Sequence, residues 1–381
     1  MKRNRTALVL TGALLVLIAF ASYYWWKRRH PQSPEYRIGV VLSLTGRGAT
    51  YGQRALHGMQ LAVDELNATE SFRNRPIRLI VEDSQSAAPQ ALSAFRKLID
   101  VDHVFVVVGF VLSDEVLSCA PVANERKVVL LTTAAGSDKI RDAGDYIFRN
   151  RESGELAANE IASACINQFG AKDAAILHSN SANGISYRDD FKRAFERLGG
   201  TISLTVGYDE GKTDYRAQIE QLRTKSPKAV YLAGLDQELG LILKQAKEVG
   251  FKSQFFASPG AISSKLLDIS GGAAEGLVSA SAPFDVNSPD PRVQSFVNSY
   301  TSRFNNPPDF ISGNSYDAIN VIAGLFKNGA TSADQIKTGL YETREFPGVG
   351  GQMTFDQNGE VTKPIAVVVV RGGKFLRFEG K

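Results

Sequence analysis

Cysteine, histidine, methionine and tryptophan are all scarce in this chain of 381 residues, at 2, 4, 3 and 2 respectively. Two cysteines cannot build the framework of a disulfide-stapled secreted scaffold. Cys119 and Cys165 each fall on a predicted helix and read as separate buried thiols. The histidines (His30, His57, His103 and His178) lie far apart, and none stands at metal-ligand spacing, so no metal is expected. A G-x-S-x-G nucleophile elbow is also missing, and no set of catalytic residues emerges. Acidic charge is absent from the first 30 residues, which hold Lys2, Arg3, Arg5, Lys27, Arg28 and Arg29. The rest of the chain carries 38 bases against 40 acids, so the net +4 belongs to that segment alone. A basic face for nucleic acid is therefore not expected.

The one long apolar run is the 21 uncharged residues 6–26, about the length that spans a bilayer core as a helix. Two readings of residues 1–30 stand side by side. As a signal peptide, the basic start, apolar middle and Ala19-Phe20-Ala21 cleavage pattern fit. As a membrane anchor, Tyr23, Tyr24, Trp25 and Trp26 form an interfacial aromatic belt ahead of Lys27-Arg28-Arg29. Both place the folded part outside the cytoplasm, free or tethered, if the amino terminus stays inside; the flanking positive charges tie at three each and do not set the orientation. Residues 31–35 continue a short polar linker.

Beyond the linker, apolar runs of strand length alternate with segments of helical period. Strands are predicted at 36–44, 76–83, 102–109, 127–133, 173–179, 201–207, 228–234, 254–258 and 275–282, and the tail holds an apolar run at 364–370. Helices are predicted at 53–67, 89–100, 113–126, 154–169, 185–198, 214–225 and 237–249, then near 290–304, 314–327 and 332–341. Such alternation means an α/β protein with doubly wound parallel sheets. The pattern restarts near residue 154, which predicts two similar lobes and a cleft at the C-terminal ends of their strands, where open α/β sheets bind ligands.

Two loops imitate nucleotide motifs and fail. GRGATYG (46–52) has the spacing G-x-G-x-x-x-G, with Tyr51 where the third glycine of a dinucleotide fingerprint belongs. It reads as a tight turn with Tyr51 as a wall. GYDEGKT (207–213) is one residue short of a phosphate loop, and Asp209 and Glu210 would repel a phosphate, so it reads as a solvated loop. No cofactor is expected. Two other strand-to-helix loops are rich in small polar residues: GFVLSDEV (109–116), holding Ser113 and Asp114, and TTAAGSDK (132–139). A hydroxyl with several backbone N–H groups at a helix start suits a carboxylate. Equally, Ser113 or Asp114 caps its own helix. Both readings stay open on the residues alone.

A series of segments adds a resemblance. IGVVLSLTGRGATYGQRALHGMQLAVDELNA (38–68), VEDSQSAAPQALSAFRKLI (81–99), VVGFVLSDEV (107–116), YIFRNRESGELAANEIA (146–162), LILKQAKEVGFKSQFFAS (241–258), GGAAEGLVSASAPFD (271–285), YDAINVIAGL (316–325) and MTFDQNGE (353–360) run in order along the chain. Together they resemble the branched-chain amino-acid-binding (leucine/isoleucine/valine-binding) family of type I periplasmic solute-binding proteins, which serve ABC importers. The resemblance implies two lobes joined by three crossing strands, near 150–153, 283–286 and 349–353. Lobe 1 would comprise 36–151 plus 284–350, and lobe 2 would comprise 152–283 plus 351–381. It implies hinge closure on a small ligand whose carboxylate is held at Ser113 and by backbone at Ala134, Ala135, Gly136 and Ser137, with Tyr51 nearby. It implies delivery to a membrane permease and its ATPase.

The ammonium half of that site departs from the family. The usual threonine falls at Gly136, a usual tyrosine at Asn183, another near Leu235, and the ammonium-binding acid at Pro259. The family's cysteine pair falls at Ser86 and Leu112. An amine in that cleft would need another carboxylate, for which Asp114 and Asp236 are the candidates. An amine-free carboxylate is therefore an alternative ligand. A tethered sensor acting through a membrane partner and an α/β dehydrogenase are the rival functions.

Overall fold

The protein is described from a computed structural model covering residues 35–281 and 284–378. The segment read as signal peptide or anchor, and linker residues 31–34, lie outside the described residues. Within them, no helix is long and apolar enough to cross a membrane.

The first half builds one sheet. β1 (Tyr36–Leu42), β2 (Ile77–Asp83), β3 (Val106–Gly109), β4 (Val129–Thr132) and β5 (Ile147–Arg149) pair in the order β2-β1-β3-β4-β5, all parallel. Between them run α1 (Ala49–Asn67), α2 (Ala88–Asp100) and α3 (Ser113–Arg126). After β5 the chain crosses to a second layer through α4 (Gly154–Ser163). There β6 (Asp173–Ser179), α5 (Ala182–Arg197), β7 (Thr201–Tyr208), α6 (Arg216–Lys225), β8 (Ala229–Ala233), α7 (Asp236–Glu248), β9 (Gln254–Ala257), α8 (Ser264–Ser270) and β10 (Val278–Ser281) follow. The chain then returns to the first sheet as α9 (Pro291–Phe304), α10 (Phe310–Lys327) and α11 (Ala333–Glu342), with the hairpin β11 (Phe346–Gly348) and β12 (Gly351–Met353). It ends on the second sheet as β13 (Ala366–Arg371) and β14 (Lys374–Arg377), giving the order β14-β13-β10-β9-β8-β6-β7. β13 and β14 are antiparallel additions to an otherwise parallel sheet.

Each sheet is covered on both faces, which is why its strands read as continuous apolar runs. Val40, Val106, Val108 and Leu131 face α1 and α10 in one core, while Val41, Val107 and Leu130 face α2 and α3 in another. The second sheet repeats this with Ala175, Leu177 and Leu232 on one face and Ala174, Ile176 and Tyr231 on the other. Cys119 and Cys165 are free thiols in two different cores.

One boundary differs from the sequence reading. Residues 351–361, assigned there to lobe 2, supply Met353, Phe355 and Val361 to the first core. The third crossing therefore follows Val361 and precedes β13, not near 349–353. The cause is apolar: three side chains bury against the first sheet before the chain leaves it. β5, α8 and β14, which the sequence reading did not contain, are also present.

α1 and α10 cross without a side chain between them at Gly58. A Cβ there would stand 2.1 Å from the Ser312 carbonyl oxygen. Gly58→Ala should lower stability by about 1–3 kcal/mol, read as a lower denaturation midpoint. Gly324→Ala, whose Cβ meets open space, should leave it unchanged or raised.

Candidate functional site

A cleft of about 460 Å³, counting the part open to solvent, lies where the strand ends of the two sheets face each other. Every parallel strand flanking it ends by contributing its next loop. Arg47 and Tyr51 follow β1, Ser113 and Asp114 follow β3, and Ala134 follows β4. From the other side, Asn183 and Tyr187 follow β6, Glu210 follows β7, Leu235 follows β8 and Gly260 follows β9. Arg151, on the first crossing, and Phe310, at the start of α10, complete the wall.

The start of α3 settles the capping question. Its N-cap is Leu112, with no side-chain cap, so neither Ser113 nor Asp114 caps this helix. Ser113 is buried, and its Oγ accepts from Ser137 N–H (3.1 Å), which leaves its hydroxyl proton without an acceptor among the described residues. An uncapped helix start beside an orientable hydroxyl is an anion-binding arrangement.

Asp114 is committed elsewhere. Its carboxylate accepts from Ala182 N–H (3.2 Å), at the start of α5 on the opposite lobe. Arg47 lies 4.0 Å from Asp114 and pairs closely with Glu210 across the cleft. Glu210 was read as part of a solvated loop; instead it lines the cleft, and burial pushes its carboxyl up to about 7. Asp236 is buried but does not line the cleft: its carboxylate accepts from Ser263 Oγ (2.9 Å). Of the two acids considered for an amine, then, one closes the lobes and the other is not part of the wall, though its Oδ1 is buried without a partner.

The remaining expected residues divide. Tyr51, Ala134 and Asn183 line the cleft. Tyr51 also bridges it, donating to the Gly260 carbonyl (2.8 Å) and accepting from Asp236 N–H (3.0 Å). Ala135, Gly136 and Ser137 stand one layer behind. Ala135 N–H donates to Thr132 Oγ1 (3.2 Å), Ser137 Oγ caps the turn at Lys139, and Gly136 lies under Tyr187. His178 is turned to the Ser179 carbonyl and is not part of the wall.

Arg47, Arg151, Tyr187, Glu210 and Phe310 were not foreseen as site residues. Their shared signal is position: each follows a strand end, lies on a crossing, or begins a helix facing the cleft. Arg151 is the most enclosed. Its guanidinium donates to the Ala134 carbonyl (2.8 Å), the Glu152 carbonyl (3.1 Å), Glu152 Oε1 (3.2 Å) and Tyr187 Oη (3.2 Å). Behind it, Arg149 pairs with Glu360 and Lys363 donates to Asn314 Oδ1 (2.6 Å), so the crossings carry a buried charged network. Among the described residues, no cluster of three metal-ligating groups occurs.

This is the architecture of a two-lobed binding protein: paired α/β sheets with a cleft between their strand ends. The chain matches the periplasmic binding protein family model over residues 35–374 and belongs to that family. It is 25% identical over 367 residues to the leucine-, isoleucine-, valine-, threonine- and alanine-binding protein of Pseudomonas aeruginosa, covering 95% of both chains. It superposes on a leucine-binding protein from Thermotoga maritima with a TM-score of 0.85 and 26% identity, covering 90% of this chain and 97% of that one. A solute-binding protein of an ABC transporter from Rhodopseudomonas palustris, solved with 3,4-dihydroxybenzoic acid, shares the fold (TM-score 0.82, 22% identity, 90% and 96% covered).

The lobes also meet at two carboxyls. Asp138 N–H, from the first lobe, donates to Ser186 Oγ (2.9 Å) on α5, and Ser186 Oγ donates to Asp190 (3.5 Å). Burial, then the neighbouring Asp138, push Asp190 up to about 8, with Glu155 adding to the shift and Arg193 opposing it. A raised folded-state value means that the folded protein holds the proton more tightly than the unfolded chain, so stability declines as pH rises from about 4 to about 8. The denaturation midpoint should fall between pH 5 and pH 8, and Asp190→Asn should flatten that fall. An unchanged slope in the variant would remove the pair as its source.

Proposed function

We propose that this protein is an extracytoplasmic solute-binding protein that captures a small carboxylate between its lobes and delivers it to an ABC importer. Family membership supports periplasmic binding without catalysis. The observation that carries the reading is the uncapped start of α3 with the Ser113 hydroxyl, opening onto a cleft that both lobes line. Hydrogen bonds to a charged group contribute roughly 1.5–3 kcal/mol each, so a few such donors suffice to select a carboxylate. The bodies that move would be residues 36–149 with 284–361, and 154–281 with 366–378. The permease and ATPase are the expected partners, with the hinge-closed surface presented to them. Tethering through residues 6–26 is compatible with this role.

The ligand proposed is a carboxylate without an α-amine. Pro259 offers no charge at the position where amino-acid binders of this family carry an acid, and Asp114 and Asp236 are engaged by Ala182 and Ser263. Glu210 is the remaining acid on the wall, and Arg47 neutralises it. An ammonium buried beside these groups would compete with Arg47 for the Glu210 carboxylate.

A thermal-shift panel tests this. A carboxylate present at 100 times its dissociation constant should add about 2.7 kcal/mol. The expected pattern is stabilisation by 4-methyl-2-oxopentanoate or benzoate and little by leucine, isoleucine or valine, with Ser113→Ala weakening the response. Stabilisation by leucine alone would overturn the amine-free reading and turn attention to Glu210. No response to any carboxylate would overturn the carboxylate itself.

A further inference from the structure

Tyr187 belongs to α5 of the second lobe, yet its ring end is seated on the first. A Cβ on Gly136 would stand 2.4 Å from Tyr187 Oη, and a Cβ on Gly154 would stand 2.8 Å from its Cε1. Two residues without side chains thus make room for it. The hydroxyl oxygen accepts from Arg151 Nη2 (3.2 Å), and no other hydrogen bond engages it. Its own proton therefore has no acceptor among the described residues, and the residue lines the cleft. Ser113 presents the same arrangement from the first lobe, with its oxygen fixed by Ser137 N–H and its proton free. In both cases an accepted bond fixes the oxygen while the proton remains to be donated.

We propose that Tyr187 is a ligand-binding residue, donating its hydroxyl to the same carboxylate that Ser113 holds, with Arg151 as the group that orients it. This rests on the carboxylate reading above. It gives the anion a donor from each lobe, so that grasping the carboxylate and closing the cleft become one event. It also accounts for Gly136: where relatives place a threonine, this chain leaves space that a hydroxyl from the facing lobe fills. Burial holds the Tyr187 phenol above its ordinary range, so it stays a donor at neutral pH. Arg151 is made whole only when both lobes are in place, because Ala134 belongs to one and Tyr187 to the other.

The test compares wild type with Tyr187→Phe by calorimetric titration with benzoate and 4-methyl-2-oxopentanoate, each beside its carboxamide. Loss of one donor to a charged group should weaken carboxylate binding about 10- to 100-fold and narrow the preference over the amide. Gly136→Ala, which keeps the phenol but displaces it, should give the same change. A brace for Arg151 alone would lower the unliganded denaturation midpoint and leave the carboxylate-to-amide ratio intact, which would overturn the proposal. So would affinity within twofold of wild type. If wild type binds neither carboxylate, the functional reading falls and this proposal falls with it. If wild type binds and Tyr187→Phe binds equally, only this proposal falls.

Discussion

A guanidinium buried at the junction of two lobes must have its charge answered and most of its five donors occupied, or the fold would bear a large desolvation cost. Arg151 meets that requirement with groups from three places: Glu152 beside it on the crossing, Ala134 on one lobe and Tyr187 on the other. Its full set of partners exists only with the lobes together. The other cross-cleft contacts share this logic. Tyr51 bonds Gly260 and Asp236, Asp114 takes a free N–H at the start of α5, and Arg47 meets Glu210. Each is a polar group whose partner lies across the cleft, so opening the lobes returns all of them to water at once. Exchanging such bonds for hydration is close to neutral per bond. That leaves a hinge equilibrium which a ligand bridging both sides can shift.

The charge pattern then determines what the cleft favours. The donors without acceptors, the hydroxyls of Ser113 and Tyr187 and the start of α3, gather in the wall near Arg151. The acids of the wall, Asp114 and Glu210, are both answered from within the protein. Asn183 Oδ1 is a neutral acceptor left without a partner, but a wall with spare hydroxyl donors and both carboxylates answered suits an anion better than a zwitterion.

Most of the fold could be read from the sequence because buried parallel strands and their helices leave strong apolar periods. The helix over 113–126 was placed to the residue. What escaped was short or late. β5 is three residues long, and β14 is a largely exposed edge strand with little apolar signal. The third crossing was misplaced because Met353, Phe355 and Val361 are spread among turn residues, and only tertiary packing reveals which sheet receives them. In the site, the loops of one lobe were legible because a helix start and small residues are local features. Partnerships across the cleft were not. Nothing local to GYDEGKT tells that Glu210 faces Arg47, and nothing local to Asp236 tells that its carboxylate bonds Ser263 and stays out of the wall. Gly136 appeared as a lost threonine, while the residue filling its space lies 51 positions further along the chain.

The central claim is that an amine-free carboxylate draws the two lobes together. It is tested most directly by a distance between them, measured by pulsed electron resonance with spin labels at Gln90→Cys and Gln237→Cys. Both positions are exposed, one on each lobe, and the native thiols are buried. The account predicts that 4-methyl-2-oxopentanoate or benzoate converts a broad distance distribution into a single shorter one, while leucine leaves it broad. A distribution indifferent to carboxylates, or one that narrows with leucine alone, would contradict it.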